Sequence, residues 1–253
     1  MLPSPITSAL STLQAHTVPC LLIGGQACVL YGGAEFSRDL DLVIATQSDA
    51  LPPLRAALAD LRAELIAVPP LRLDLLERGH AVHFRCQRAD VAHLRIDVLA
   101  HPPRIADLGG LWARRVMVPI PEGASVPVIA LPDLVATKKT QRDKDWATVG
   151  QLVDADMVRY QQAATPDHVS FWLHEARDAD QLLLLAATFP EPAATAVATR
   201  SLIAKAIEGD REALELELAQ EQIRGKAADR AYWAPLVAEL EVLRRQARFG
   251  EAG

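Results

Sequence analysis

The sequence predicts a mixed α/β domain followed by an all-helical one, on two observations. Residues 1–130 interleave short apolar β-type runs with helical stretches; from about 131 onward the chain reads almost entirely as helix, rich in Ala, Leu, Glu and Arg. The expected layout is a mixed sheet flanked by helices over residues 1–155 and an all-helical C-terminal domain over 156–253. With 253 residues, half of them hydrophobic, the chain has enough apolar material for a core, and disorder is not expected.

The elements follow in order. Residues 6–16 form an amphipathic pattern with Ile6, Leu10 and Leu13 on one face. After Pro19, the run CLLI reads as a buried strand; Gly24-Gly25 breaks it, and QACVLYG resumes as helix. Residues 39–45, DLDLVIA, alternate as a strand, and a helix is expected over 48–66 with Pro52 and Pro53 near its first turn. AVHFRC (81–86) and VAHLRIDVLA (91–100) read as two strands around a short polar turn; RVMVPI and VPVIAL flank the turn PEGAS. In the second half, LPDLVATKK starts a helix, and another begins with Thr165 as N-cap and Pro166 just inside, running on through LLLL. Further helices fit 195–208, 210–223 and 226–247, with breaks at Gly209-Asp210 and Arg224-Gly225 and a kink or restart at Pro235.

Bulk properties narrow the function. A net charge of −6 and a pI of about 5.7 do not suggest a protein that grips nucleic acid by overall electrostatics. Cys20, Cys28 and Cys86 lack zinc-site spacing and read as buried, reduced thiols of a cytosolic protein. The N-terminus lacks a basic region followed by an apolar stretch, and LLLLAA at 182–187 is far short of a membrane span, so a cytoplasmic protein is expected.

The chemistry concentrates in LLIGGQACVLYGGAEFSRDLDLVIA (21–45). A strand ends in two glycines and a helix begins at once, leaving backbone N–H groups uncovered at the positive end of a helix dipole, where a phosphate can sit. Asp39 and Asp41 share one face of the following strand, because side chains alternate with period two. Two like charges one pleat apart repel unless a cation lies between them, and a divalent cation is the usual remedy. A third acid, Asp97, lies mid-strand between Ile96 and Val98, where a carboxylate needs a metal or a partner such as Arg95. Lys138, Lys139, Arg142 and Lys144 form a local positive cluster suited either to a triphosphate or to the C-terminal dipole of their own helix.

In kind and order these residues resemble the DNA-polymerase-β-like nucleotidyltransferase superfamily: a strand, a Gly-Gly opening a helix (Gly24, Gly25), Asp-x-Asp on the next strand (Asp39, Asp41) and a third Asp on a later one (Asp97). SRDLDLVI looks like that superfamily's Arg-x-x-Asp-hydrophobic-Asp arrangement, with Arg38 here directly before the first Asp. LPDLVATKKTQRDKDWATV (131–149) is similar to the abortive-infection toxin branch, AbiEii type, in which a helical Lys precedes an Arg-x-Lys-Asp turn. The resemblance covers residues 19–150 and implies a nucleotidyltransferase fold and Mg²⁺-dependent transfer of a nucleoside monophosphate from a nucleoside triphosphate to a hydroxyl. Asp39, Asp41 and Asp97 would hold two Mg²⁺ ions, Gly24 and Gly25 would contact phosphates, Asp97 would help deprotonate the acceptor, and Lys138 or Lys139 would offset charge on pyrophosphate. Arg38, Arg142 and Lys144 would join the triphosphate contacts.

The acceptor stays open between tRNA, a protein and a small molecule, and the toxin branch brings an antitoxin into the range of partners. The competing readings are an inactive module of the same fold that senses nucleotides or holds a partner, and a purely structural protein. His80, His83, His93 and His101 read as ordinary polar residues of the strand region. Trp172, Trp233 and Tyr232 read as core or interface residues, and 208–224 as a solvated helix face.

Overall fold

The computed structural model describes residues 4–45, 49–120 and 125–250. Its secondary structure is a mixed seven-stranded sheet flanked by helices, followed by a wholly helical region. The chain separates into two compact units. The first comprises residues 1–30, 35–137 and 231–253; the second comprises 31–34 and 138–230.

In the first unit, α1 (Ser4–Ala15) leads to β1 (Cys20–Ile23), α2 (Gly24–Tyr31) and β2 (Asp39–Ile44). Then come α3 (Leu51–Asp60), β3 (Ala63–Leu65), α4 (Leu73–Glu77), β4 (Val82–Cys86) and β5 (Arg95–Leu99), followed by α5 (Leu108–Ala113), β6 (Val116–Pro119), β7 (Ser125–Val128) and α6 (Leu131–Lys138). The sheet order is β3-β4-β5-β2-β1-β7-β6. The β2–β5 and β1–β7 pairs are parallel and the other four antiparallel. The central strands are central because their sequence is apolar: CLLI in β1 is buried throughout, and Leu40, Leu42, Ile96 and Val98 are fully buried. Leu10 and Leu13 of α1 and Leu54 of α3 complete this core. The tail of α12 (Arg211–Gly250) closes the unit: Arg78 hydrogen-bonds Glu239, and His80 Nε2 lies 2.9 Å from the other Glu239 oxygen.

The second unit is built from α7 (Asp143–Tyr160), α8 (Pro166–Glu175), α9 (Ala179–Thr188), α10 (Pro190–Ala196), α11 (Ile203–Glu208) and the first part of α12. Val153, Trp172, Leu173, Leu182, Ile203 and Leu214 lie at the centre of its core. Trp172 Nε1 donates to Asp156 Oδ2 at 2.7 Å, which satisfies the buried indole. Arg177 and Arg200 converge on Glu221, so the charges buried there are paired.

Several boundaries differ from the sequence reading. The helix expected over 48–66 ends at Asp60, and Ser48 lies outside the described residues. Arg62 adopts a left-handed backbone, φ 49°, and Ala63–Leu65 then pair with β4, so sheet pairing overrides helical pattern. The helix expected to run from Thr165 through LLLL is two helices, because the Asp178 side chain accepts from Gln181 N and starts α9 afresh. Thr165 does cap α8, with Pro166 in its first turn. Of the turn PEGAS, residues 121–124 lie outside the described residues.

No break occurs at Arg224-Gly225, and Pro235 lies inside a continuous α12. Gly225 is a packing residue: a Cβ there would come within 2.4 Å of the Trp146 ring. The Arg177 guanidinium also lies over that indole, 4.9 Å from the ring centroid. Gly225→Ala should therefore destabilise the protein by about 1–3 kcal/mol in urea titration, although alanine has the better helix propensity. A stabilised variant would show that the indole moves aside freely.

All three cysteines are free and buried. Burial pushes the Cys20 thiol up to about 12 and the Cys86 thiol up to about 11, which keeps both protonated near neutral pH. Among the described residues, no helix is long and apolar enough to cross a membrane.

Candidate functional site

The polar face of the sheet is assembled by register. Asp41 pairs with Asp97 across parallel β2 and β5, Asp97 with His83 across β5 and β4, and Asp41 with Ile23 across β2 and β1. One row across four strands thus reads Ile23, Asp41, Asp97, His83. Two residues earlier on β2, Asp39 pairs with Arg95, and Arg95 with Arg85. Paired residues on a pleated sheet share a face. Asp39, Asp41, Asp97, His83, Arg95 and Arg85 therefore lie on one face, while the intervening Leu40, Leu42, Ile96, Val98, Val82 and Phe84 are buried on the other.

Ile23 is followed by Gly24, which places the start of α2 beside Asp41. Gly24 has φ +65°. A Cβ there would lie 2.0 Å from Asp41 Oδ2, so glycine is required both by conformation and by space. Gly25 N donates to Asp41 Oδ2 at 3.2 Å. Gln26, fully buried, donates its amide to the backbone oxygens of Ser37 (2.9 Å) and Asp39 (3.3 Å), which anchors the entry to β2.

Asp97 is held by two neighbours on its own face. Its Oδ1 accepts from Arg95 Nε at 2.7 Å and lies 2.9 Å from His83 Nδ1. Arg95 Nη2 also lies 3.1 Å from His83 Nδ1. Burial works to raise the Asp97 pKa, but the His83 and Arg95 hydrogen bonds outweigh it and hold the carboxyl below the usual range. The Arg95 pKa is raised, first by its bond to Asp97; partial burial opposes this, and the charges of Asp97, Asp39 and Asp41 add to it. Arg95 is thus the resident counter-charge of an acidic face.

A pH dependence follows. A carboxyl whose folded pKa is depressed contributes stability that is present above its unfolded value, about 3.9, and lost as pH falls through the folded value. Urea stability of the wild type should drop below about pH 4, and Asp97→Asn should flatten that part of the profile. An unchanged slope in Asp97→Asn would show that Asp97 is not paired in the folded protein.

The donor set is chemically suited to Mg²⁺: three carboxylates on neighbouring strands, all hard oxygen ligands, beside bare glycine backbone. Among the described residues, no group of three or more His, Cys, Asp or Glu side chains is already gathered as a metal cage. Arg95 and His83 hold Asp97 instead. Both contacts go to Asp97 Oδ1, which leaves Oδ2 for a cation.

The basic block lies in the second unit, apart from Thr137 and the residues before it. Asp145, buried, lies 3.8 Å from Lys138 Nζ and 2.7 Å from the Arg142 guanidinium, and Lys139 pairs with Glu175. Lys144 is exposed. Three of the four cations therefore have carboxylate partners within their own unit. Arg38 is exposed and precedes Asp39 on the loop into β2.

Sequence reasoning set His83 aside as an ordinary strand residue; the structure places it against Asp97. Arg95 was named only as a partner for Asp97, and Arg85 not at all. An offset-counting signal existed for Arg95, since i and i+2 share a strand face, but His83 and Arg85 reach the site only through cross-strand register.

No family model matches the chain, and no curated protein does. Among solved structures it is similar to a "putative nucleotidyltransferase from H. pylori", with TM-score 0.39 and 14% identity over 91% of this chain and 98% of that one. It is also similar to JHP933 from Helicobacter pylori, with TM-score 0.34 and 14% identity over 92% and 94%. Both likenesses are loose.

Proposed function

We propose that the polar face of β2 and β5 is the active site of a Mg²⁺-dependent nucleotidyltransferase, which moves a nucleoside monophosphate from a nucleoside triphosphate to a hydroxyl. One observation carries the reading: Asp41 and Asp97 sit in register on adjacent parallel strands, with Asp39 one pleat away and the glycine start of α2 against Asp41. A structural role alone gives no reason to gather three acids on one strand pair and bare the backbone beside them.

Asp39, Asp41 and Asp97 would hold the metal. Bound there, Mg²⁺ supplies charge neutralisation for the triphosphate and acidifies the acceptor hydroxyl. The chain's own groups do the rest. Gly25 N–H, which donates to Asp41 Oδ2, would be free for a phosphate oxygen if Asp41 held a cation. Asp97 would accept the hydroxyl proton, and the His83 and Arg95 contacts at Oδ1 hold its carboxyl ionised beforehand. Placement in the AbiEii-type toxin branch, with an antitoxin partner, rests on the sequence resemblance alone.

A second reading, a nucleotide sensor without turnover, is favoured by the engagement of Asp97 with Arg95 and His83. Transfer of label from each α-³²P nucleoside triphosphate to total tRNA, to the protein itself or to a panel of small hydroxyl compounds separates the two. Label that moves in the wild type and not in Asp39→Ala/Asp41→Ala supports the enzyme. Mg²⁺-dependent triphosphate binding with no transfer to any acceptor supports the sensor and sinks the enzyme.

A further inference from the structure

On the loop that enters β2, one exposed aromatic has no structural account. Phe36 is 63% exposed, on the loop between α2 and β2. That loop is held at its base: Gln26 bonds the backbone at Ser37 and Asp39, and the Ser37 side chain packs so closely on Gly25 that a Cβ there would lie 2.2 Å from Ser37 Oγ. An exposed phenylalanine on an anchored loop gains no burial from the fold. Phe36, Ser37 and Arg38 line a groove of about 300 Å³ with Ile6, His93 and Leu94. Arg38 and Leu94 directly precede Asp39 and Arg95, which pair across β2 and β5, so this groove adjoins the end of the acid-bearing strands. Among the described residues, no hydrogen bond or ion pair of Arg38 is found.

We propose that this groove is a nucleotide subsite, in which a base stacks on Phe36 and a phosphate is held by Arg38. The chemistry is that of a nucleotide unit: an aromatic face and a guanidinium lining one groove, at the N-terminal end of the strands whose acids are proposed for phosphoryl transfer. The choice of a nucleotide rests on the nucleotidyl-transfer reading. Two sources supply such a unit, the donor triphosphate and the end of a single-stranded nucleic acid acceptor. The groove is local and needs no basic surface overall, which fits an acidic chain.

The full-length protein is titrated with two probes, each nucleoside triphosphate with Mg²⁺ by calorimetry and a fluorescein-labelled single-stranded RNA decamer by anisotropy. Phe36→Leu should weaken binding of one probe by roughly tenfold, while Phe36→Tyr, which keeps the ring, should bind as wild type. Arg38→Gln should weaken the same probe and, for the RNA, reduce its salt dependence. Loss confined to the triphosphates assigns the groove to the donor; loss confined to the RNA assigns it to the acceptor. Because Phe36 is exposed, melting temperatures should not change, which separates lost contact from lost fold. Phe36-dependent binding in a protein that transfers no label would leave the subsite standing and sink the transfer reading. A wild type that binds neither probe, or a Phe36→Leu variant that binds both unchanged, would overturn the proposal.

Discussion

Asp41→Asn is expected to reduce nucleotidyl transfer on the order of a thousandfold or more while leaving the protein folded. The loss follows from the several kcal/mol of charge stabilisation that a metal supplies to a phosphoryl-transfer transition state. Asp41 is the informative position, because its carboxylate is next to both Asp97 and the glycine start of α2. Asparagine keeps an oxygen that can accept from Gly25 N, so the local fold has no reason to change. It also removes one of three like charges from a face on which Arg95 is a counter-charge. The melting temperature should therefore stay level or rise by a few degrees. An Asp41→Asn protein with wild-type turnover would remove this carboxylate from the chemistry.

Gly24→Ala is expected to damage stability and activity together. Alanine at φ +65° is strained, and its Cβ would overlap the Asp41 carboxylate at 2.0 Å. Strain and overpacking together come to about 2–4 kcal/mol. The only relief is for Asp41 to swing away, which also breaks its bond from Gly25 N. Urea titration should show the destabilisation, and transfer by the fraction still folded should fall at least tenfold. Retained turnover per folded molecule would show that the close approach of Gly24 to Asp41 serves the fold alone.

The two predictions differ in how far the sequence alone supports them. The spacing of Asp39 and Asp41, the glycine pair before them and the lone acid in RIDVL are short-range features, and period-two alternation turns them directly into faces of strands. The mixed sheet and the helical second half are likewise visible in composition and periodicity. What one sequence does not carry is which strands become neighbours. β2 lies between β1 and β5, and that pairing brings Asp41 to Asp97 and His83 to Asp97. Tertiary packing also overrode local pattern at Ala63–Leu65, which pair as a strand against helical periodicity. The same holds at Gly225, where a residue that usually interrupts helices makes room for the Trp146 ring. The Arg95 guanidinium as resident counter-charge was equally hidden, since its reach to both Asp97 and His83 depends on side-chain geometry rather than spacing.

The central claim is that Asp39, Asp41 and Asp97 act together as ligands of a divalent cation. Titration of the protein with Mn²⁺, followed by electron paramagnetic resonance in the presence of a non-hydrolysable nucleoside triphosphate, tests it most directly. The wild type should remove free Mn²⁺ from solution beyond what the triphosphate alone removes, and Asp39→Ala/Asp41→Ala should lose that excess. Equal Mn²⁺ uptake by the wild type and the double variant would contradict the account, and would leave the acidic face as a structural arrangement balanced by Arg95 and His83.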